Sequence, residues 1–323
     1  MGLAKSYTEP EPSAGRGFIV GAPRSGTTLL ISLVAAHPEI APIYETEFIR
    51  HLLLLCEQEK RSSTGFWRNE IYARVRRRLR SWRRAKRPDS FARKVLPSYR
   101  SPERDTAGKT QDEFFPFGNH CIEYNFCELI DETERFLVKL AAGDGGTNDP
   151  FVLARRYIDR LFAIHCSRMN RPFWVNKTPS LVRCLDLLHK MHPECALIHI
   201  VRDGRDVALS TVSLRTGPNN VRDAARRWRE MVLRGRRLHD NSNYLEVRYE
   251  DLIAAPARVL KTVFGALGFD ACAASNLPGL KVYGHREKVW RSGLAKKDKR
   301  DFAKEAGDLL IQLGYEKDNA WVS

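Results

Sequence analysis

The sequence predicts an α/β fold: three layers, with a mainly parallel central sheet, helices on both faces and a helical insertion. Three observations carry that prediction. Short apolar runs with β-preferring residues, such as Phe18–Val20 and Ala196–Val201, alternate with segments of helical period. Several of these runs end in a polar turn that leads straight into a helix, as parallel strands with crossovers require. The 323 residues, 43% of them hydrophobic, suffice for one large core. Residues 17–323 are therefore read as a single domain behind a polar lead-in, 1–16, with residues 60–165 an insertion of helix and loop.

In order, Phe18, Ile19 and Val20 make the first strand. Gly21, Pro23 and Gly26 break regular structure, and a helix starting at Thr27–Thr28 runs to Ala36. His37-Pro38 stops it, because the residue before proline avoids the helical basin. Ile40–Tyr44 is a short crossing segment with strand character, and Thr46 is the expected N-cap of a helix through Glu59. Residues 67–87 read as a basic helix with Ile71, Val75, Leu79 and Trp82 on one face. Residues 97–120 read as a loop or lid. A helix over Asn148–Met169 precedes a strand at Phe173–Val175, the turn Asn176-Lys177-Thr178-Pro179 and a helix over Ser180–Met191. The strand Ala196–Val201 ends in Arg202-Asp203-Gly204-Arg205-Asp206 and a helix to about Leu214. Helices over Val221–Leu238, Ala257–Leu267 and Asp301–Leu313 follow, with a strand at Tyr244–Val247 and a basic loop over Lys288–Arg300.

The loop of Gly17–Leu30, GFIVGAPRSGTTLL, is a phosphate cradle in outline. Strand, tight turn and helix start aim backbone N–H groups at one point, and glycine lets the chain approach an anion closely. Arg24 adds fixed charge, and Thr27 and Thr28 add hydroxyls. Gly21 and Gly26 match the G-x-x-x-x-G-K-[ST] spacing, but Thr27 replaces the lysine that reaches a β/γ phosphate pair. Arg24, Lys177 and Arg202 each follow a different strand, and ligands collect beyond the C-terminal ends of parallel strands.

The charge balance agrees with an anionic ligand. Lys and Arg number 54 against 39 acidic residues, a net +15, of which nine positive charges lie between Arg74 and Arg87. That segment is either a solvated face or a docking surface for an anionic acceptor or membrane. Nucleic acid is disfavoured, because few aromatics interleave the charges. Seven scattered cysteines without CxxC spacing indicate reduced thiols and no zinc site, and no segment is apolar and long enough to span a bilayer. The expected location is cytoplasmic, with peripheral membrane contact through 67–87 left open; Gly2 fits a loose myristoylation pattern that is read as coincidence.

Two motifs resemble the sulfotransferases that use 3′-phosphoadenosine 5′-phosphosulfate (PAPS). Pro23-Arg24-Ser25-Gly26-Thr27-Thr28 resembles that family's 5′-phosphosulfate loop, and Arg202 with Ser210 its 3′-phosphate site. Weaker echoes are Asn176-Lys177-Thr178-Pro179, Tyr249-Glu250-Asp251-Leu252 and Trp290-Arg291-Ser292-Gly293. Within the family the chain looks closest to bacterial carbohydrate- and small-molecule-type enzymes and to tyrosylprotein sulfotransferases. The resemblance implies a P-loop-like fold, PAPS as co-substrate, 3′,5′-ADP as product, no metal, and a small-molecule or glycan acceptor with a free hydroxyl. It implies Glu45 as general base, with His120 the runner-up and His165 and His199 in the core. Arg24 and Lys177 become the catalytic cations. Ser25, Gly26, Thr27 and Thr28 take the 5′-phosphate, Arg202 and Ser210 the 3′-phosphate, and Tyr249 and Arg291 further nucleotide contacts. Tyr44 and Glu47 depart from the tyrosylprotein pattern, and Glu47 reverses a charge that meets acidic peptides there. The acceptor is left as a carbohydrate, lipid-linked glycan or natural-product alcohol or phenol. The competing classes are a P-loop nucleotide kinase or hydrolase and a non-enzymatic binder of anionic surfaces.

Overall fold

The computed structural model describes residues 15–61, 132–136, 138–139, 149–214, 217–270 and 287–322. The lead-in with Gly2, the basic helix 67–87 and the loop 97–120 with His120 lie outside these residues, apart from 15 and 16. Five strands form one parallel sheet: β1 Arg16–Gly21, β2 Ile40–Tyr44, β3 Phe173–Lys177, β4 Ala196–Val201 and β5 Tyr244–Arg248. Their order is β2-β3-β1-β4-β5. Every pairing is parallel, so all five C-terminal ends share one edge.

Alternation along the strands feeds two cores. Phe18, Val20, Ile43, Trp174 and Leu197 face one side, where they meet α2 (Glu47–Arg61), α3 (Pro150–Met169), α4 (Leu185–Met191) and α6 (Val221–Gly235). Ile19, Ile40, Val175, Ile198 and Val247 face the other, against α1 (Thr27–Val34) and α8 (Pro256–Ala266). The strands read as near-continuous apolar runs because both faces are covered. α5 (Gly204–Val212) and α10 (Lys296–Gln312) extend the first layer. α10 runs parallel to α6: Arg222, Arg226 and Arg229 meet Asp301, Glu305 and Asp308 at 2.5, 2.9 and 2.5 Å. Pairs this exposed stabilise little and act mainly to fix register.

Several boundaries differ from the sequence reading. The helix expected over Ser180–Met191 is a 3₁₀ turn, Pro179–Cys184, followed by α4. The basic stretch 288–300 is not a loop: it holds α9 (Trp290–Gly293) and the first turn of α10. Lysine and arginine are good helix formers, and the buried stripe Phe302, Ala306, Leu309, Leu310 carries the rest of α10. A short helix α7, Tyr249–Ala254, follows β5 directly. Thr46 does not turn its hydroxyl into the first turn of α2; it bonds to β3 and the turn after it. Among the described residues, no helix is long and apolar enough to cross a membrane.

Candidate active site

The common strand edge assembles the predicted residues in two groups. The first forms where β1 and β4 lie side by side, with Gly21 opposite Ile200. The loop after β1 turns at Arg24 (φ 70°) and Gly26 (φ 94°) and enters α1 with no side-chain cap. The first N–H groups of α1 therefore have no partner within the helix and point at the loop. Ser25 is fully buried, and its Oγ has no hydrogen-bond partner. Thr27 is buried behind it, and Thr28 is exposed at the mouth.

Arg24 and Arg202, 178 residues apart, are in contact: Arg202 Nη1 donates to the Arg24 carbonyl at 3.2 Å. Arg24 Nε donates to Ser210 Oγ on α5 at 3.0 Å. Arg202 also donates to Asp206 at 3.3 Å, four residues further along the chain. Its guanidinium lies 4.4 Å from the centre of the Tyr249 ring. Tyr249 is buried, so it acts here as a platform under Arg202 rather than as an exposed contact. Asp206 accepts the N–H groups of Lys288 and Trp290, both at 2.9 Å, which brings exposed Arg291 on α9 to the same end of α5. Burial raises the pKa of Asp206, and these two N–H bonds and Arg202 oppose that shift.

Gly26 sits against the same platform. A Cβ there would lie 2.4 Å from Tyr249 Cδ2, on a left-handed backbone that side chains resist. Gly26→Ala is expected to cost about 2 kcal/mol of stability, because it must displace Tyr249 and the Arg202 guanidinium above it. Gly265→Ala is the control. That position is helical with nothing within 4 Å, so alanine should be neutral or stabilise by up to about 1 kcal/mol. Thermal melts of the two variants read both effects.

The second group forms where β2 meets β3. Tyr44 pairs in register with Lys177, and Glu45, the next residue, turns at φ 53°. The Lys177 ammonium donates to the Glu45 carboxylate; the lysine is 3% exposed and the glutamate 51%. Lys177 also lies 5.3 Å from the centre of the Tyr44 ring. Glu47 accepts the Ser180 hydroxyl at 2.6 Å, which holds a second carboxylate on this side. Of the described non-glycine residues with positive φ, Arg24, Glu45 and Lys288 all belong to this edge and only Asn170 does not. Strain collected in this way is a mark of a functional site. His165 and His199 are buried away from it, as expected for core histidines.

The sulfotransferase family model matches residues 18–272. The chain belongs to the sulfotransferase family. The nodulation protein NoeE of Sinorhizobium fredii is 22% identical over 348 aligned positions, covering 93% of this chain and 66% of that protein. The chain thus spans just under two-thirds of that relative's length. Among solved structures, the sulfotransferase domain of the Synechococcus PCC 7002 olefin synthase is 19% identical at a TM-score of 0.49, covering 94% of this chain and 98% of that one. A sulfotransferase from Alicyclobacillus acidocaldarius is 14% identical at 0.42, covering 96% and 99%.

Two features of this sulfotransferase-family site escaped the sequence reading. The sequence reading gave Arg205 no role, yet it is 2% exposed. It lies 3.6 Å from the centre of the Trp290 ring and 4.6 Å from that of Trp321, and bonds Asp203 at 2.8 Å and Glu316 at 2.5 Å. It clamps the turn that carries Arg202 to the C-terminal segment. The repeated Arg-Asp spacing of Arg202-Asp203-Gly204-Arg205-Asp206 was its only sequence signal. The other feature is a set of buried polar side chains flanking Glu45 and Lys177, described below. Among the described residues, the one cluster of metal-ligand types is His192, Glu194 and Cys195. It lies at the opposite strand edge, just before β4, where Arg155 grips Glu194 at 2.5 and 3.1 Å.

Proposed function

We propose that the chain moves a sulfuryl group from PAPS to an acceptor hydroxyl and releases 3′,5′-ADP. The observation that carries the reading is the contact between two anion grips from distant turns, Arg24 after β1 and Arg202 with Ser210 after β4. A buried, unpartnered Ser25 hydroxyl inside a glycine-hinged loop fits a phosphate ligand, and family membership supplies the chemical class.

Bound PAPS supplies an activated sulfuryl group whose in-line transfer asks the protein mainly for positioning and charge. Ser25, Thr27, Thr28 and the N–H groups at Gly26 and the α1 start hold the 5′-phosphate. Arg202 and Ser210 hold the 3′-phosphate, with Tyr249 beneath and Arg291 at the rim. Arg24 and Lys177 place positive charge where negative charge develops on the leaving oxygen, the role that magnesium fills in kinases. Glu45 accepts the proton of the acceptor hydroxyl. The acceptor is a carbohydrate, lipid-linked glycan or natural-product alcohol or phenol, and the Glu47 carboxylate on that side disfavours an acidic peptide.

Transfer of sulfur-35 from labelled PAPS to a panel of hydroxylated acceptors, with and without a chelator, tests this directly. Turnover that instead requires magnesium and a nucleoside triphosphate would restore the kinase reading. Arg202→Ala is expected to weaken 3′,5′-ADP about 10- to 100-fold, the worth of one or two charge-assisted hydrogen bonds. Binding of 5′-AMP, which lacks the 3′-phosphate, should change less than about threefold. Equal losses for both nucleotides would remove Arg202 from the 3′ site.

A further inference from the structure

Residues next to Glu45 and Lys177 bond to one another across the strand ends. Thr46 follows the glutamate; Asn176 and Thr178 bracket the lysine. All three are fully buried. Asn176 Nδ2 donates to Thr46 Oγ1 at 2.8 Å, and Thr178 Oγ1 donates to Asn176 Oδ1 at 3.0 Å. The two threonine hydroxyls are 3.1 Å apart. With the Thr178 proton committed to Asn176, Thr46 is the donor of that contact. The three side chains therefore close a ring in which every donor points the same way round, amide to Thr46 to Thr178 to amide. Thr178 Oγ1 accepts a further bond from the Thr46 N–H at 2.9 Å. Around the ring, the Glu45 N–H bonds the Lys177 carbonyl at 2.9 Å, and the Thr178 N–H bonds the Ile19 carbonyl of β1 at 3.2 Å.

We propose that this ring of Asn176, Thr46 and Thr178 positions the general base: it holds Glu45 in its left-handed backbone, with the carboxylate on Lys177. The proposal rests on the reading of Glu45 as base. A glutamate leaves the left-handed region unless its surroundings prevent it. Thr46, the next residue, is fastened by backbone and side chain to the turn that carries Lys177, so Glu45 cannot relax without breaking several bonds at once. Those bonds lie out of reach of water, so each broken one strands a buried polar group. Rings with one sense of donation also polarise their members cooperatively. Thr178 is the keystone: its hydroxyl takes part in three of the four bonds.

The test is a double-mutant cycle of Thr178→Val and Glu45→Gln, read by kcat and KM with labelled PAPS. Thr178→Val should lower kcat about 10- to 100-fold, the cost of misplacing a reacting group by about 1 Å, with KM for PAPS within about twofold. Thr178→Ser, which restores the hydroxyl, should recover kcat to within about threefold. On the Glu45→Gln background, Thr178→Val should remove less than about twofold more, because a positioning residue has nothing left to position. Full additivity in the double mutant, or kcat of Thr178→Val within twofold of wild type, overturns the proposal while leaving Glu45 as base. Near-normal turnover of Glu45→Gln alone overturns both. Should Thr178→Val not fold, Thr46→Val strands fewer groups and carries the same expectations, with Thr46→Ser as its rescue.

Discussion

If Glu45 is the general base proposed above, Glu45→Gln is expected to lower the turnover number by about 10²- to 10⁴-fold, with 3′,5′-ADP binding within about twofold of wild type. The rate range is that of a positioned general base. The amide keeps the shape of the carboxylate and its bond to the Lys177 ammonium but takes up no proton. The binding expectation follows from geometry. Glu45 and Lys177 sit at the ends of β2 and β3, whereas the contacts among Arg24, Arg202 and Ser210 form between the loop after β1 and the turn after β4. Lys177→Met provides the matching arm. It should also lower the rate, and because it removes the cation from a nearly buried position, any change in nucleotide affinity separates ground-state binding from transition-state stabilisation. Turnover of Glu45→Gln within a few-fold of wild type would remove Glu45 from the role.

Acidification from pH 7 to pH 5 is expected to remove up to about 6 kcal/mol of folding stability, a large share of the stability of an ordinary domain. Three buried histidines set that upper bound, which the carboxylates named below reduce. Burial lowers the pKa of His165 to about 4, despite the raising effect of its bond to the Pro42 carbonyl. Burial lowers His192 to about 3, aided by Arg155 and Arg16, and His199 to about 3, aided by Arg236. The folded-state values lie below the unfolded value, so the unfolded chain binds more protons in the interval between them. The contribution is present above pH 6.5 and is lost as pH falls towards the folded values. Each histidine loses about 2 kcal/mol by pH 5. Asp159, Asp206 and Glu250 act in the opposite sense, since burial raises their pKa values and favours the folded chain as they protonate. Urea titrations at the two pH values measure the difference, and stability that is flat between them contradicts the account. His192→Phe is expected to return about 2 kcal/mol of the loss, because the ring already packs at 5.5 Å from Phe18 and 6.1 Å from Trp174.

The features legible in the sequence are those that depend on near neighbours. The cradle was readable because Gly21 and Gly26 stand at a fixed interval beside Arg24 and two threonines, and a tight turn before a helix needs them there. The parallel sheet with both faces covered was readable from apolar runs that alternate with helical periods. Where local patterns competed, the reading failed. Residues 288–300 looked like loop because their charge masked two helices, and Thr46, which does stand just before α2, directs its hydroxyl to β3 and the turn after it.

Strand order was decided by tertiary structure alone. Placing β3 between β2 and β1 puts Tyr44 opposite Lys177, and from that one register follow the Glu45–Lys177 contact and the ring beneath it. Placing β4 beside β1 does the same for Arg24 and Arg202. No spacing along the chain encodes either neighbour, because strand order minimises exposed apolar surface over the whole sheet, a sum to which every strand contributes. The sequence by itself determined which residue types stand in the turns after the strands, since residue type and local turn geometry are written there. Which of them touch was settled only when both faces of the sheet were covered.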